Sequence, residues 1–298
     1  MRLVGLSKGV VALIAVATLF AAAPAAPGAT KTVRYGPYTI PPGTMDVPGV
    51  VHNKLRFAVP RPCLGCFITA FKPDLVYADG TSATMESGPM LHHFVLTSQL
   101  RRDATCGSNW LGLAGERFFA SGDERTAITL PSGYGYRVRW YDSWNSLVDL
   151  MNHSTVEKTV YVQVTYTYRP TWESVKPVRP VWLDIDQCGD SEYPIPSGPS
   201  VAYWDWNVNV PGAVVAAIGH VHAEGVAVEA TNESRGGASI CKSVATTDIH
   251  RVLSMSTCTG DPLARVRAGE TVRLHSYYDS AAGANDVMGI MLMYVHPS

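Results

Sequence analysis

The sequence predicts an all-β protein built as two β-sandwiches. Short runs rich in Val, Tyr, Phe and Thr recur along the chain, and turn sequences such as Pro41-Pro42-Gly43 and Asp79-Gly80 separate them. The segment Tyr161–Tyr168 alternates with a period of two, as a half-buried strand does. The 298 residues also include 14 Tyr, 7 Trp, 26 Gly and 20 Pro, which favours strands and turns over helices.

The strand-like segments fall into two groups. A proline-rich passage, Pro170–Pro180, is the best candidate for a linker between them, so we expect domains at residues 30–172 and 173–298. Only Gly107–Arg125 suggests a helical turn or a long loop. The predicted strands are Thr32–Ile40, Phe67–Tyr77, Leu91–Thr97, Tyr134–Tyr141, Leu147–Met151, Thr159–Tyr168, Val181–Ile185, Val201–Val210, Val214–His222, Val226–Ala230, Thr271–Tyr278 and Gly289–Val295.

The amino terminus has the pattern of a secretory signal peptide. Arg2 and Lys8 precede an apolar run from Val10 to Ala23, and Ala23-Pro24-Ala25 offers small residues for cleavage. The run is shorter than the roughly 20 residues that a membrane span needs. We therefore expect residues 1–29 to be removed and the mature protein to be secreted, with an uncleaved membrane anchor as the alternative.

Charge excludes two classes of partner. The chain has 24 Lys and Arg against 25 Asp and Glu, and such a balanced charge creates no long-range field for nucleic acid or anionic lipid. We expect no nucleic-acid partner, and no membrane association after cleavage of the signal peptide. The hydrophobic content of 46% excludes disorder as the main state.

The six cysteines are expected to form disulfides, because secretion exposes them to an oxidising compartment. Cys241 and Cys258 are close in sequence, which favours a local bridge between them. The pair Cys63 and Cys66 has zinc-ribbon or redox spacing, but no second pair accompanies it. A structural bridge, within the motif or to Cys106 or Cys188, is therefore expected for this pair.

Two histidine motifs and one isolated histidine carry the candidate chemistry. His220 and His222 are two residues apart in an apolar strand, so both project from one face and can bind one metal ion. His92 and His93 are adjacent, and they share a metal only if the strand is bulged or twisted there. His153 follows the apolar strand Leu147–Met151 and on its own is typical of a structural histidine.

A methionine-rich strand follows late in the chain. Three methionines, including Met288, occur between Val287 and Tyr294. Such a strand usually packs in a core, but thioether is also a soft ligand, and a His-His-Met set selects copper over zinc. The remaining histidines are expected to be surface or structural residues: His52, His250, His275 and His296.

Taken in chain order, these motifs resemble the copper type II, ascorbate-dependent monooxygenase family, which includes peptidylglycine α-hydroxylating monooxygenase and dopamine β-hydroxylase. The resemblance implies two jelly-roll-like antiparallel β-sandwich domains with one copper ion each. It implies three histidine ligands for the first ion, and two histidines and one methionine for the second. The matching positions are His92, His93 and His153, followed by His220, His222 and Met288.

The same resemblance implies an activity. The copper at His220, His222 and Met288 would be catalytic, and an aliphatic or benzylic C–H of a small molecule would be hydroxylated with O2. The other copper would relay electrons from ascorbate or a similar one-electron donor.

The chain departs from the peptide-amidating members in the substrate region. Ile218 stands where those members carry an Arg for the substrate carboxylate, and small or apolar residues follow Met288. A buried carboxylate without a cationic partner is unfavourable, so a glycine-extended peptide is excluded in favour of an apolar substrate near Ile218, Ile290 and Leu292. The alternatives are a secreted protein that captures or delivers copper without turnover, and a structural sandwich that binds zinc or no metal.

Overall fold

The computed structural model describes residues 28–107, 115–248 and 250–298, and these are almost entirely β-structure. Residues 1–27 of the predicted signal peptide lie outside the described residues. In the described part of the chain, no helix has the length and apolar character to cross a membrane. The strands are β1 (Ala29–Ile40), β2 (Gly49–Arg56), β3 (Cys66–Val76), β4 (Pro89–Ser98), β5 (Glu116–Ser121), β6 (Ile128–Thr129), β7 (Tyr134–Val138), β8 (Trp144–Asn152), β9 (Lys158–Pro170), β10 (Lys176–Asp184), β11 (Glu192–Ile195), β12 (Gly198–Asn207), β13 (Gly212–Val221), β14 (Gly225–Asn232), β15 (Ala238–Thr247), β16 (Val252–Met255), β17 (Thr257–Val266), β18 (Thr271–Ser280) and β19 (Ala284–Pro297).

The strands form three sheets, and the predicted all-β sandwich architecture is confirmed. A ten-stranded sheet runs β1-β9-β3-β7-β10-β19-β13-β17, with β6 added beside β3 and β11 beside β19. A four-stranded sheet has the order β2-β8-β4-β5, and a five-stranded sheet has the order β12-β18-β14-β15-β16. Two short 3-10 helical turns, Met85–Ser87 and Glu233–Arg235, complete the described secondary structure.

Strand β19 separates two hydrophobic cores. Ile290, Leu292 and Tyr294 pack into the core that also contains the N-terminal strands, whereas Met291 and Met293 pack into the second core. Successive strand residues point to opposite faces, so this strand is buried on both sides. Burial on both faces explains why its sequence is continuously apolar rather than alternating.

The predicted domain boundary at 172/173 falls between β9 and β10. The ten-stranded sheet continues across it, because β10 pairs in parallel with β7 and antiparallel with β19. Pro177 and Pro180 lie inside β10 rather than in a linker. Pro177 pairs only with β7 and Pro180 only with β19, so neither proline has a paired strand on both sides. The division into two domains stays a prediction.

All six cysteines are paired. The local bridge Cys241–Cys258 is confirmed, and Cys63 is bonded to Cys66 within its own motif. The third bridge, Cys106–Cys188, joins residues 82 apart in sequence and links the loop after β4 to the loop after β10. A bridge over so long a loop restricts the unfolded chain strongly and holds the two halves together.

Candidate metal centre

Three imidazoles from two different sheets meet at one point. One ring nitrogen from each of His92, His93 and His222 lies within 4.8 Å of the others. The closest pair is His93 Nε2 and His222 Nε2, which are 3.1 Å apart. Among the described residues this is the one group of three or more His, Cys, Asp or Glu side chains with such spacing.

A β-bulge brings the two adjacent histidines to the same side. Leu91 pairs with Leu150 and His93 pairs with Asp149, so His92 is the extra residue of β4 against β8. The ring centroids of His92 and His93 are consequently 4.0 Å apart. The strand therefore has the bulge that His92 and His93 need in order to share a metal ion.

The histidines of the second motif lie where β13 ends: His220 is within the strand, and His222 directly follows it. His220 pairs with Ile290 of β19, and the backbone N–H of His222 donates to the hydroxyl of Tyr278. That hydroxyl donates in turn to the carbonyl of Met288, at 2.6 Å. His222 Nδ1 lies 2.8 Å from the carbonyl oxygen of Asp286, so Nδ1 donates there and leaves Nε2 free to accept or to bind metal.

A buried carboxylate orients His220. Glu124 Oε1 lies 3.2 Å from His220 Nδ1 and also accepts from the backbone N–H of Gly122. Burial raises the pKa of Glu124, but His220 and the Gly122 N–H more than offset this, and its pKa is lowered from the usual value. His220 Nε2 is buried without a hydrogen-bond partner among the described residues, so its lone pair is available to a ligand.

A second carboxylate lies behind the cluster. Asp149 Oδ2 is 3.7 Å from His93 Nδ1 and 3.3 Å from His52 Nδ1. The other oxygen of Asp149 accepts from the backbone N–H of Asn53. Asp149 thus connects β8 to β2 beneath the clustered imidazoles and places a carboxylate near Nδ1 of His93.

The three clustered imidazoles are held neutral. Burial lowers the pKa of His92, His93 and His222 well below the usual value, and the mutual repulsion of their protonated forms lowers it further. Neutral imidazole is the form that binds a metal ion. The cluster is therefore ready to bind metal at neutral pH without first losing protons.

A cavity of about 160 Å³ opens on one side of the cluster, between the four-stranded and ten-stranded sheets. We call it the apolar cavity because most of its exposed wall is apolar, although four acidic residues also line it: Glu124, Asp149, Asp190 and Glu192. His93 and His220 form part of its wall, and Ile218, Ile290 and Leu292 also line it. Its described lining residues include no Lys or Arg.

A second cavity, of about 330 Å³, lies on the other side and has a different lining. His92, His153 and His222 border it together with three methionines, Met85, Met90 and Met151. His220 and Glu124 border both cavities, so the histidines form the partition between an apolar space and a space lined by imidazole and thioether groups.

The structure thus brings five predicted histidines to one region. His153 lines the second cavity but is outside the group of three whose nitrogens approach within 4.8 Å, as is His220. Met288 lines the apolar cavity with His93 and His220. The division of the six predicted ligands into two separate copper sites stays a prediction.

Sequence reasoning missed the two carboxylates. Asp149 is an acidic residue inside an otherwise apolar strand, and that contrast was an available signal. Glu124 gave no such signal, because it lies inside Gly107–Arg125, which the sequence predicts only to be a helical turn or a long loop. In the structure that segment contains strand β5.

Comparison with known proteins adds a family to this geometry. Residues 135–297 match the family described as "Stress up-regulated Nod 19". The chain is 32% identical over 169 residues to "Probable copper-dependent oxygenase M1" of Phoma sp., in an alignment that covers 55% of this chain and 42% of that protein. It is 24% identical over 243 residues to "Probable copper-dependent oxygenase clz3" of Cochliobolus lunatus, covering 74% of this chain and 77% of that protein.

The chain therefore spans less than half of the length of the first of these relatives. Among solved structures, the viral protein described as "Crystal structure of PBCV-1 VP54 fitted into a cryo-EM reconstruction of the virophage Sputnik" aligns over 93% of this chain and 96% of that chain. The TM-score is 0.34 at 9% identity, and no argument is drawn from it.

Proposed function

The chain belongs to the Stress up-regulated Nod 19 family, which matches more than half of its length, and from this premise we propose that it is a copper-dependent oxygenase. One observation carries the proposal: the convergence of His92, His93 and His222 beside an apolar cavity. Two relatives named as probable copper-dependent oxygenases point to the same chemistry.

The donor set fits copper. Imidazole nitrogen suits copper, zinc, iron and nickel, and a nearby thioether favours copper among them. Met288 supplies that thioether beside His93 and His220 at the apolar cavity. When bound, copper would supply dioxygen activation and one-electron transfer.

The protein's own groups hold the ligands in place. The Asp286 carbonyl orients His222, Glu124 orients His220, and Asp149 lies behind His93. Outer partners of this kind fix the tautomer and the ring orientation of a metal-binding histidine. The sheets on both sides keep the cluster largely away from bulk water.

We propose a small, neutral, apolar substrate bound between the two sheets. Ile218, Ile290 and Leu292 form an apolar wall, and Glu124 and Asp149 are already engaged by the hydrogen bonds and ion pairs described above. A substrate carboxylate would meet no Lys or Arg among the described lining residues. Hydroxylation of an aliphatic or benzylic C–H, with ascorbate or a similar donor, fits both this wall and the family resemblance of the histidine motifs.

Two copper stoichiometries follow from the two arrangements of ligands. The compact cluster of His92, His93 and His222 favours one copper ion with His220 close to it. The arrangement implied by the resemblance uses His92, His93 and His153 for one ion and His220, His222 and Met288 for another. We favour the compact site, because His222 Nε2 lies 3.1 Å from His93 Nε2 and both nitrogens can face one ion.

We also propose that the protein works in an oxidising compartment outside the cell. Its three disulfides support this, since such bridges are rare in reducing compartments. The predicted signal peptide supplies the route.

Oxygen uptake by copper-loaded protein tests the proposal. With ascorbate and a panel of small apolar compounds, we expect substrate-dependent oxygen uptake and a hydroxylated product. His93→Ala should abolish both and lower the bound copper, whereas His296→Ala, on the far end of β19, should retain them. Full copper loading with only uncoupled ascorbate oxidation would favour copper capture or delivery instead.

A further inference from the structure

His153 lines the cavity of histidines and methionines but is not part of the compact site of His92, His93 and His222. Both ring nitrogens of His153 are shielded from solvent, and neither has a hydrogen-bond partner among the described residues. A buried imidazole without a partner is unfavourable, since each polar group removed from water needs a replacement interaction. Its surroundings should therefore supply a ligand.

Two methionines of neighbouring strands line the same cavity as this histidine. Met90 of β4 lies directly opposite Met151 of β8, and directly opposite residues in a sheet have Cβ atoms about 5 Å apart. His153 is two residues beyond Met151, and its backbone N–H donates to the carbonyl of Gly88, which continues the pairing of the two strands. Asn152, between Met151 and His153, is fully buried, and its side chain donates to the carbonyl oxygens of Pro41 and Val156.

Met85 completes the set from the 3-10 turn that precedes β4. All four side chains, Met85, Met90, Met151 and His153, line the same cavity. One imidazole with three thioethers is a soft donor set, which binds Cu(I) or Ag(I) in preference to Zn(II) or Mg(II).

The charge of the cavity favours a cation. Four acidic residues and one arginine are among its described lining residues. That arginine, Arg251, pairs with Asp123, one of the four acids, and with Glu86, which leaves Glu124, Glu224 and Asp286 as the other acidic residues of the wall. An incoming monovalent cation therefore meets a net negative wall.

We propose that Met85, Met90, Met151 and His153 form a second metal site, selective for a soft monovalent ion, beside the imidazole cluster. His92 and His222 border the same cavity, so an ion held there lies next to the cluster and can load it with Cu(I). This site is independent of oxygenase turnover.

Ag(I) is the probe, because it mimics Cu(I) and has no redox chemistry under these conditions. In the full chain carrying His92→Ala and His93→Ala, which disables the imidazole cluster, we expect one Ag(I) to remain bound, with sulfur neighbours in X-ray absorption of the Cu(I) form. Adding Met90→Leu and Met151→Leu should weaken Ag(I) binding at least 100-fold. Leucine has nearly the volume of methionine, and thermal unfolding checks that the fold is retained.

Two further Met→Leu variants serve as controls for the Ag(I) measurement. Met45→Leu, at an exposed site elsewhere, and Met288→Leu, in the apolar cavity, should leave Ag(I) binding in the same background unchanged. Unchanged Ag(I) affinity after loss of Met90 and Met151, or a sulfur signal that disappears only with Met288→Leu, overturns the proposal. Loss of oxygen uptake with retention of this ion would count against the oxygenase function alone.

Discussion

The carboxylate of Glu124 lies 3.2 Å from Nδ1 of His220, and both side chains are in the partition between the two cavities. The contact joins the loop after β5 to the end of β13, so it couples the N-terminal half of the chain to the histidine motif of the C-terminal half. It fixes the His220 tautomer with Nε2 turned away from the carboxylate and available to a ligand.

We expect Glu124→Gln to weaken copper binding or oxygenase activity by about 10-fold to 100-fold, which is typical for loss of the outer partner of a metal-binding histidine. The amide keeps the shape of the side chain but removes its charge. Competition with a chromogenic copper chelator measures the affinity, and oxygen uptake measures the activity. Glu157→Gln, on an exposed turn, is the matched control. Equal behaviour of the two variants would contradict the positioning role.

Gly122 leaves the space that this contact needs. A Cβ atom added there would lie 2.5 Å from Glu124 Oε2 and 2.8 Å from His220 Cε1. We expect Gly122→Ala to displace both side chains, to destabilise the protein by about 1–3 kcal/mol and to lower copper affinity. Urea unfolding and copper titration measure the two effects. In the control, Gly260→Ala, the three atoms nearest to the added Cβ all belong to Leu263, at 3.1 to 3.4 Å, so copper affinity should not change.

The sequence predicted more of the fold than of the site. Twelve predicted strands are present, because alternation and turn residues are local signals. Seven of the nineteen described strands were not predicted: β2, β5, β6, β11, β15, β16 and β17. The sequence indicated a bulge or twist at His92 and His93 only on the condition that the two histidines share a metal ion. The meeting of His93 with His222 depends on how two sheets face one another, and no local pattern contains that information. Glu124 was missed for the same reason, since its partner His220 is 96 residues away.

Acid should destabilise the metal-free protein. Burial lowers the pKa of His92, His93 and His222 in the folded state, whereas the unfolded histidines take up protons near pH 6.5. Below that pH the unfolded state binds more protons than the folded state, so the free energy of unfolding falls as pH decreases. The slope is up to about 1.4 kcal/mol per pH unit for each histidine.

Urea unfolding between pH 7.5 and pH 5 measures this slope. We expect His93→Gln to reduce the slope, and His296→Gln, outside the cluster, to leave it unchanged. Asp103 does not interfere, because its pKa is about 2 in the folded protein and 3.8 in the reference state, so its contribution is lost only at lower pH. Stability that is independent of pH over this range would contradict the prediction.

Arg117 and Asp103 form a buried ion pair beside the Cys106–Cys188 bridge. Arg117 Nε donates to Asp103 at 2.9 Å, and the guanidinium lies 4.9 Å from the Trp182 ring. Arg117→Met leaves the carboxylate buried without its cation, and we expect a loss of about 3–5 kcal/mol in the free energy of unfolding.

A double variant, Asp103→Asn with Arg117→Met, should recover part of that loss, since it removes the uncompensated charge. Arg235→Met disrupts the more exposed pair with Glu270 and should cost much less than Arg117→Met. Urea unfolding at neutral pH compares the three variants. A loss at Arg117 no greater than that at Arg235 would show that the buried pair contributes no more to stability than the more exposed one.

Ile218 tests the character of the substrate. It lines the apolar cavity two residues before His220. We expect Ile218→Arg to lower kcat/KM for apolar compounds at least 10-fold, because it places a cation where the substrate would lie. Ile218→Leu, of nearly equal volume, should retain most of the activity. Copper content, measured in both variants, separates an effect on the substrate from loss of the metal. If Ile218→Arg turns over apolar compounds as fast as the parent protein, the substrate does not lie against this wall.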